Sequence, residues 1–130
     1  MVFRILDATA FYVGIPFASN DSFMTTSSVY DEIEHIKTKQ GVLEMLQQTN
    51  RLQIRNPNNE SISIVKDTAN KTGDSVTISE QDISIIALAL ENKMELITDD
   101  FAVTNVARQL RIQTSSLMTG GINTVGKWIS

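Results

Sequence analysis

The 130-residue chain reads as an α/β protein folded around a central, mostly parallel sheet. Short apolar runs of strand length recur along it, and each is followed by a segment with helical apolar spacing. Acids gather where the strands give way to helices. The length suits one compact domain. With 42% hydrophobic and 20% charged residues, the balance is that of a globular chain rather than a disordered one.

Val2–Leu6 is an apolar run broken by one charge, as expected of a buried parallel strand. Asp7 follows directly, then Ala8–Val13, which suits a short helix or turn. Ligands of open α/β sheets collect beyond the carboxyl ends of the strands, so Asp7 is a candidate site residue. As the residue that opens a helix it is equally a plain N-cap. Phe11 and Tyr12 read as core. Phe23–Thr26 is a short extended stretch, and Ser27–Lys37 a helix with Val29, Ile33 and Ile36 on its apolar stripe. Asp31 falls on the solvent face, Glu34 lies well off the stripe and His35 is on the polar side. Glu32, three residues after Val29 and four before Ile36, sits at the stripe's edge. A carboxylate there must be paired, protonated or bound to a cation, unless it reaches out to water or to a nearby Arg.

The segment Gly41–Asn70 predicts an amphipathic helix around Val42–Leu46, a strand at Leu52–Ile54 and a turn at Asn56–Asn59. A polar helix over Ser61–Lys71 follows, with Ile62, Val65 and Ala69 inward and Gly73 as its stop. Arg51 and Arg55 flank the strand and are candidate phosphate contacts, against the commoner reading of surface cations. Ser79–Asp82 opens the strongly apolar helix Ile83–Glu91, and Ser followed three residues later by an acid is a capping-box pattern. Asp82 also shares the face of Ile86 and Ala89, toward the sheet, so cap and site readings both stand. Met94–Ile97 reads as a strand, Thr98-Asp99-Asp100 as its end, and Phe101–Leu110 as a helix with Val103, Val106, Ala107 and Leu110 inward. Two adjacent acids exceed the needs of one cap, and Asn105 adds an amide one turn on.

Composition narrows the chemistry. The absence of cysteine removes disulfides, thiolate catalysis and cysteine-based zinc sites. One histidine cannot build a histidine-rich metal cluster. A net charge of −4 gives no whole-surface attraction for a polyanion, so nucleic acid would need a local patch. Acids converging at one sheet edge repel each other unless cations join them, and oxygen-only ligands favour Mg²⁺ or Mn²⁺. Such ions serve phosphoryl transfer, which makes a metal-dependent phosphodiesterase the expected class. No glycine-rich phosphate loop suggests an NTPase. The start lacks a basic segment followed by a long apolar one, and no run approaches the ~18 apolar residues of a membrane helix, so a cytoplasmic protein is expected.

Four segments together carry a family resemblance: LDATAF at 6–11, VYDEI at 29–33, SEQDISIIALAL at 79–90 and LITDDFAVTNVA at 96–107. Over roughly residues 2–117 the chain resembles a PIN domain, most of all that of the archaeal Nob-one endoribonucleases, which mature the 3′ end of small-subunit ribosomal RNA. The last two motifs are the most specific. The resemblance implies a three-layer α/β/α fold and catalytic acids at Asp7, Glu32, Asp82 and Asp100. It implies one or two Mg²⁺ or Mn²⁺ ions on Asp7, Asp82 and Asp100, with Asp99 as an alternate or additional ligand. Thr9 and Thr98 match hydroxyl positions near the site, and Asn105 an amide that orients an acid or phosphate. The implied reaction is hydrolysis of an RNA phosphodiester by a metal-activated water, and the implied partner is precursor small-subunit rRNA or the small ribosomal subunit. Residues 1–117 are then a PIN domain, and 118–130 a tail resembling the run-in to a zinc ribbon that is absent here, so no zinc is expected. A VapC-like toxin ribonuclease and a catalytically silent PIN-like module that binds RNA or the ribosome are the alternatives.

Overall fold

A computed structural model describes residues 2–34 and 40–117. Strand β1 (Phe3–Leu6) leads into the short helices α1 (Ala8–Tyr12) and α2 (Ile15–Ala18). Strand β2 (Ser22–Thr25) is followed by α3 (Ser27–Ile33) and α4 (Gln40–Gln48), then β3 (Leu52–Ile54). Two longer helices, α5 (Asn59–Thr72) and α6 (Glu80–Asn92), precede β4 (Leu96–Ile97), α7 (Phe101–Gln109) and β5 (Thr114–Ser115).

The five strands pair in parallel throughout, in the order β3-β2-β1-β4-β5. Ile5 of β1 is in register with Met24 on one side and Leu96 on the other. From β1 the chain steps outward to β2 and β3, then returns past β1 to β4 and β5. Right-handed crossovers put helices from these opposite steps on opposite faces, giving three layers with the sheet in the middle. They also create a switch point between β1 and β4, where the two directions of winding part.

Helix α6 is buried around most of its circumference: Ile83 and the whole run Ile85–Ala89 are inaccessible. It packs on α3, α5 and α7 and on strands β1 and β4. A helix apolar on all sides must be central, and each buried Ile or Leu contributes about 1.5–3 kcal/mol relative to exposure. Helix α5 keeps Val65 and Ala69 inward and stops at Gly73, whose φ of 82° needs a residue without a Cβ. No helix among the described residues is long and apolar enough to cross a membrane.

Several expectations are adjusted. Tyr12 is half-exposed rather than core, while Phe11 is buried. Arg51 is half-buried and its guanidinium donates to the Ser19 carbonyl, so it serves the fold rather than standing ready for phosphate. Arg55 is exposed. Helix α2 and strand β5 carry no sequence periodicity: α2 has four residues, and β5 has two, half-buried and polar, held by Thr98 N–H donating to the Ser115 carbonyl at 2.9 Å. His35, Ile36, Lys37 and the tail 118–130 lie outside the described residues.

Candidate active site

The carboxyl ends of β1 and β4, the first turn of α6 and the middle of α3 border one cleft of about 310 Å³. Asp7, Glu32, Asp82, Asp99 and Asp100 all line it, with Thr9, Ser79 and Gln81 between them. No Lys, Arg or His is among its lining residues.

Asp7 stands where β1 ends, in extended conformation, and caps α1: one carboxylate oxygen accepts from Ala10 N–H at 3.1 Å. Its other oxygen accepts from the Thr98 hydroxyl at 2.9 Å, across the β1–β4 seam. At 7% exposure the carboxyl is buried. Burial pushes its pKa above the ordinary 3.8, the two hydrogen bonds oppose that rise, and the nearby charges of Asp82 and Asp100 add to it. Thr98, itself buried, has a second duty: its oxygen accepts from Asp100 N–H at 3.1 Å. A single hydroxyl therefore joins the acids at the ends of two neighbouring strands.

The other acids are each fixed by one oxygen. Asp100 caps α7 through Val103 N–H at 3.0 Å. Asp82 completes a capping box, accepting from Ser79 N–H at 3.1 Å while the Ser79 hydroxyl accepts from Asp82 N–H at 3.1 Å. Asp99 accepts from Leu117 N–H at 3.0 Å, and Glu32 from the Gln81 side-chain amide at 3.2 Å. The second oxygens of Asp82, Asp99, Asp100 and Glu32 accept nothing from the described residues. Each carboxylate is thus oriented by the fold and still holds an uncommitted oxygen.

Such a donor set, all carboxylate oxygen with hydroxyls at its margin, fits a hard divalent cation. Among the described residues no three acids are already drawn together as a ready-made ligand cluster.

Comparison with known proteins agrees with this geometry. A family model described as the PIN domain of ribonuclease matches residues 5–91. The chain belongs to the PIN-domain ribonucleases. It is 35% identical over 95% of its length to an endoribonuclease Nob1 from Pyrococcus abyssi, covering 73% of that protein. It is 36% identical over 90% of its length to an endoribonuclease Nob1 from Methanocaldococcus jannaschii, of which it spans 57%. The solved structure of VapBC-1 from nontypeable Haemophilus influenzae superposes with a TM-score of 0.60 over 90% of this chain and 99% of that one, at 20% identity, a likeness of fold.

Within this PIN domain the structure brings together Asp7, Glu32, Asp82, Asp99, Asp100, Thr9 and Thr98. Asn105 does not join them. Its amide donates to Asp74 at 2.9 Å, one turn along α7, and it lines a separate groove with Lys71 and Gln109. Asn105 and Thr72 hold the Asp74 carboxyl below the usual carboxylate range. Glu32 takes the outward alternative: it is exposed, and its partner is the Gln81 amide rather than an Arg. The helical stripe placed its neighbours Val29 and Ile33 correctly in the core, and α3 meets the cleft rim at Glu32. Sequence reasoning missed Ser79 and Gln81 as cleft residues. The capping box marked Ser79 as structural, and Gln81 has no signal apart from its place beside Asp82.

Proposed function

We propose that this chain is a divalent-metal-dependent endoribonuclease acting in 3′-end maturation of small-subunit ribosomal RNA, in the cytoplasm. The observation that carries the reading is the cleft of five oriented carboxylates, four of them with an uncommitted oxygen, at the switch point of a PIN domain. Membership of the ribonuclease family and the Nob1 relatives support the substrate.

Asp7, Asp82 and Asp100, with Asp99 beside them and Glu32 opposite, are the residues to hold Mg²⁺ or Mn²⁺. When bound, the ion supplies a Lewis acid for the phosphate and lowers the pKa of a coordinated water. The remaining work belongs to the chain. Thr98 keeps the Asp7 carboxylate oriented and shares the load of its burial. The caps on Asp82 and Asp100 fix the directions of their free oxygens before substrate arrives. Water adds to phosphorus, the P–O3′ bond breaks, and the departing 3′ oxygen takes up a proton, leaving a 5′-phosphate and a 3′-hydroxyl. Glu32, exposed at the rim on the opposite side from Asp99 and Asp100, is an acid open to proton exchange with solvent.

The test is cleavage of an RNA spanning a small-subunit rRNA 3′ end, with Mg²⁺, Mn²⁺ or EDTA, by the chain and by Asp82→Asn. Cutting at the mature end that needs both metal and Asp82 supports the proposal. Metal-dependent cutting without site preference removes the rRNA assignment and leaves the nuclease. RNA binding with no cutting under any metal identifies a silent RNA-binding module instead.

A further inference from the structure

Phe101 is the first residue of α7 and follows Asp100 directly, yet its side chain is 82% exposed. The apolar work of α7 is done by Val103, Val106 and Ala107, all buried, so Phe101 takes no part in docking the helix. An aromatic ring left in water beside an acid cleft calls for a partner, and the cleft indicates which kind. Among the described residues its lining is anionic and holds no cation, so the metal ion of the proposed function is the positive charge that a phosphate would meet there. Such an ion engages one phosphate, and for the nucleotide next to it base stacking on an aromatic face is the common contact in single strands.

The position is rigid. Asp100 is tied at its backbone N–H to Thr98, at its carboxylate to Val103 and at its carbonyl to the Thr104 hydroxyl at 2.9 Å. One peptide unit separates that anchored residue from Phe101, so the backbone that carries the ring is fixed beside the acids. One turn on, along the same face of the helix, Asn105 opens a polar groove of about 450 Å³ shared with Lys71 and Gln109. A strand leaving the cleft over Phe101 meets hydrogen-bonding groups there, with Asp74 bound to the Asn105 amide.

We infer that Phe101 is a base-stacking platform that holds the nucleotide beside the scissile phosphate of single-stranded RNA. This rests on the ribonuclease reading above and adds to it a binding residue outside the acid set. Because the ring is exposed, Phe101→Leu should leave thermal stability unchanged, whereas RNA affinity falls about tenfold. Phe101→Trp should restore it.

The experiment measures binding of a short single-stranded RNA to the full chain with Ca²⁺ in place of Mg²⁺. An abasic site is moved through the RNA one position at a time. At one position, loss of the base should weaken the wild type about tenfold and leave Phe101→Leu unaffected, because the same contact is already gone. Equal affinities of wild type and Phe101→Leu, or additive losses at every abasic position, overturn the inference while leaving metal-dependent cleavage by the wild type intact. A wild type that neither binds nor cleaves RNA with Mg²⁺ or Mn²⁺ overturns the ribonuclease reading itself, and the platform with it.

Discussion

Replacing Thr98 by Val removes one hydroxyl and almost no volume, and the structure sets how much should follow. The hydroxyl donates to the Asp7 carboxylate at 2.9 Å and accepts from Asp100 N–H at 3.1 Å, in a residue 3% exposed. A buried hydrogen bond to a charged group is worth about 1.5–3 kcal/mol, and a neutral one about 0.5–1.5 kcal/mol. Asp100 is exposed, so water can take over part of the second bond. The extra methyl also recovers a fraction through apolar burial. A net loss of about 2–3 kcal/mol results. For 130 residues, at about 2.1 cal/mol/K of unfolding entropy each, that lowers Tm by roughly 7–11 °C. Asp7 loses one of the two bonds that oppose its raised pKa, so its carboxyl should titrate higher still, which ¹³C NMR of the side chain reads directly. Cleavage should drop with it, since the carboxylate is neither oriented nor as fully ionised. Thr98→Ser keeps both bonds and should retain most of the stability and activity. If Thr98→Val melts within a degree or two of the wild type and Asp7 titrates unchanged, the hydroxyl is not the link between the two strand ends.

Asp7→Asn should abolish cleavage yet raise Tm at neutral pH in EDTA. Because the native pKa of Asp7 lies above its unfolded value, the unfolded chain releases that proton first, and stability is lost as pH climbs from about 4 through the native pKa. The difference from wild type should close in acid, where both side chains are neutral; a variant that melts lower at pH 7 refutes the argument. Millimolar Mg²⁺ should raise the wild-type Tm and EDTA reverse it, by about 2.7 kcal/mol at a hundredfold excess over Kd. The response should vanish in the double variant Asp82→Asn with Asp100→Asn. Asn105→Ala should keep the wild-type kcat for RNA cleavage, any change falling on KM, while the Asp74 pKa returns toward its ordinary value. A depressed carboxylate stabilises above its unfolded pKa and loses that contribution as pH falls, so this variant should differ from wild type at neutral pH and converge with it in acid. Loss of cleavage would instead bring Asn105 back to the site.

The alternation of apolar runs and helical stripes made the architecture readable, because a parallel sheet covered on both faces keeps its strands apolar where they are buried, as at Ile5 and Leu6 of β1. The acids at strand ends were readable for a related reason: Asp7 and Asp100 each stand where an apolar strand pattern gives way to a helical one, and at the buried Asp7 a charge is costly. Asn105 was misplaced because helical spacing gives the face of a residue but not what packs opposite that face. Here it is the loop carrying Asp74, distant in sequence. Strand β5 and helix α2 escaped because two to four residues are too few to show a period. Phe101 sat at the expected helix start, but nothing in the sequence distinguishes an aromatic ring that packs from one left facing water.

Capping and metal binding were rival readings of Asp7, Asp82 and Asp100, and the structure shows why they do not compete. A strand that gives way at once to a helix leaves its last residue extended, with a side-chain oxygen over the N–H groups of the first turn. That contact spends one acceptor site of a carboxylate that has about four. The helix dipole also favours a negative charge at that end, which offsets part of the repulsion among neighbouring acids. Because β1 and β4 are adjacent at the switch point, two such junctions stand side by side, and the capping box of α6 brings in a third acid. The sheet order β3-β2-β1-β4-β5 is therefore what concentrates the charge. The caps make that concentration tolerable in the free protein; the raised pKa of Asp7 comes first from its burial, with the charges of Asp82 and Asp100 adding to it.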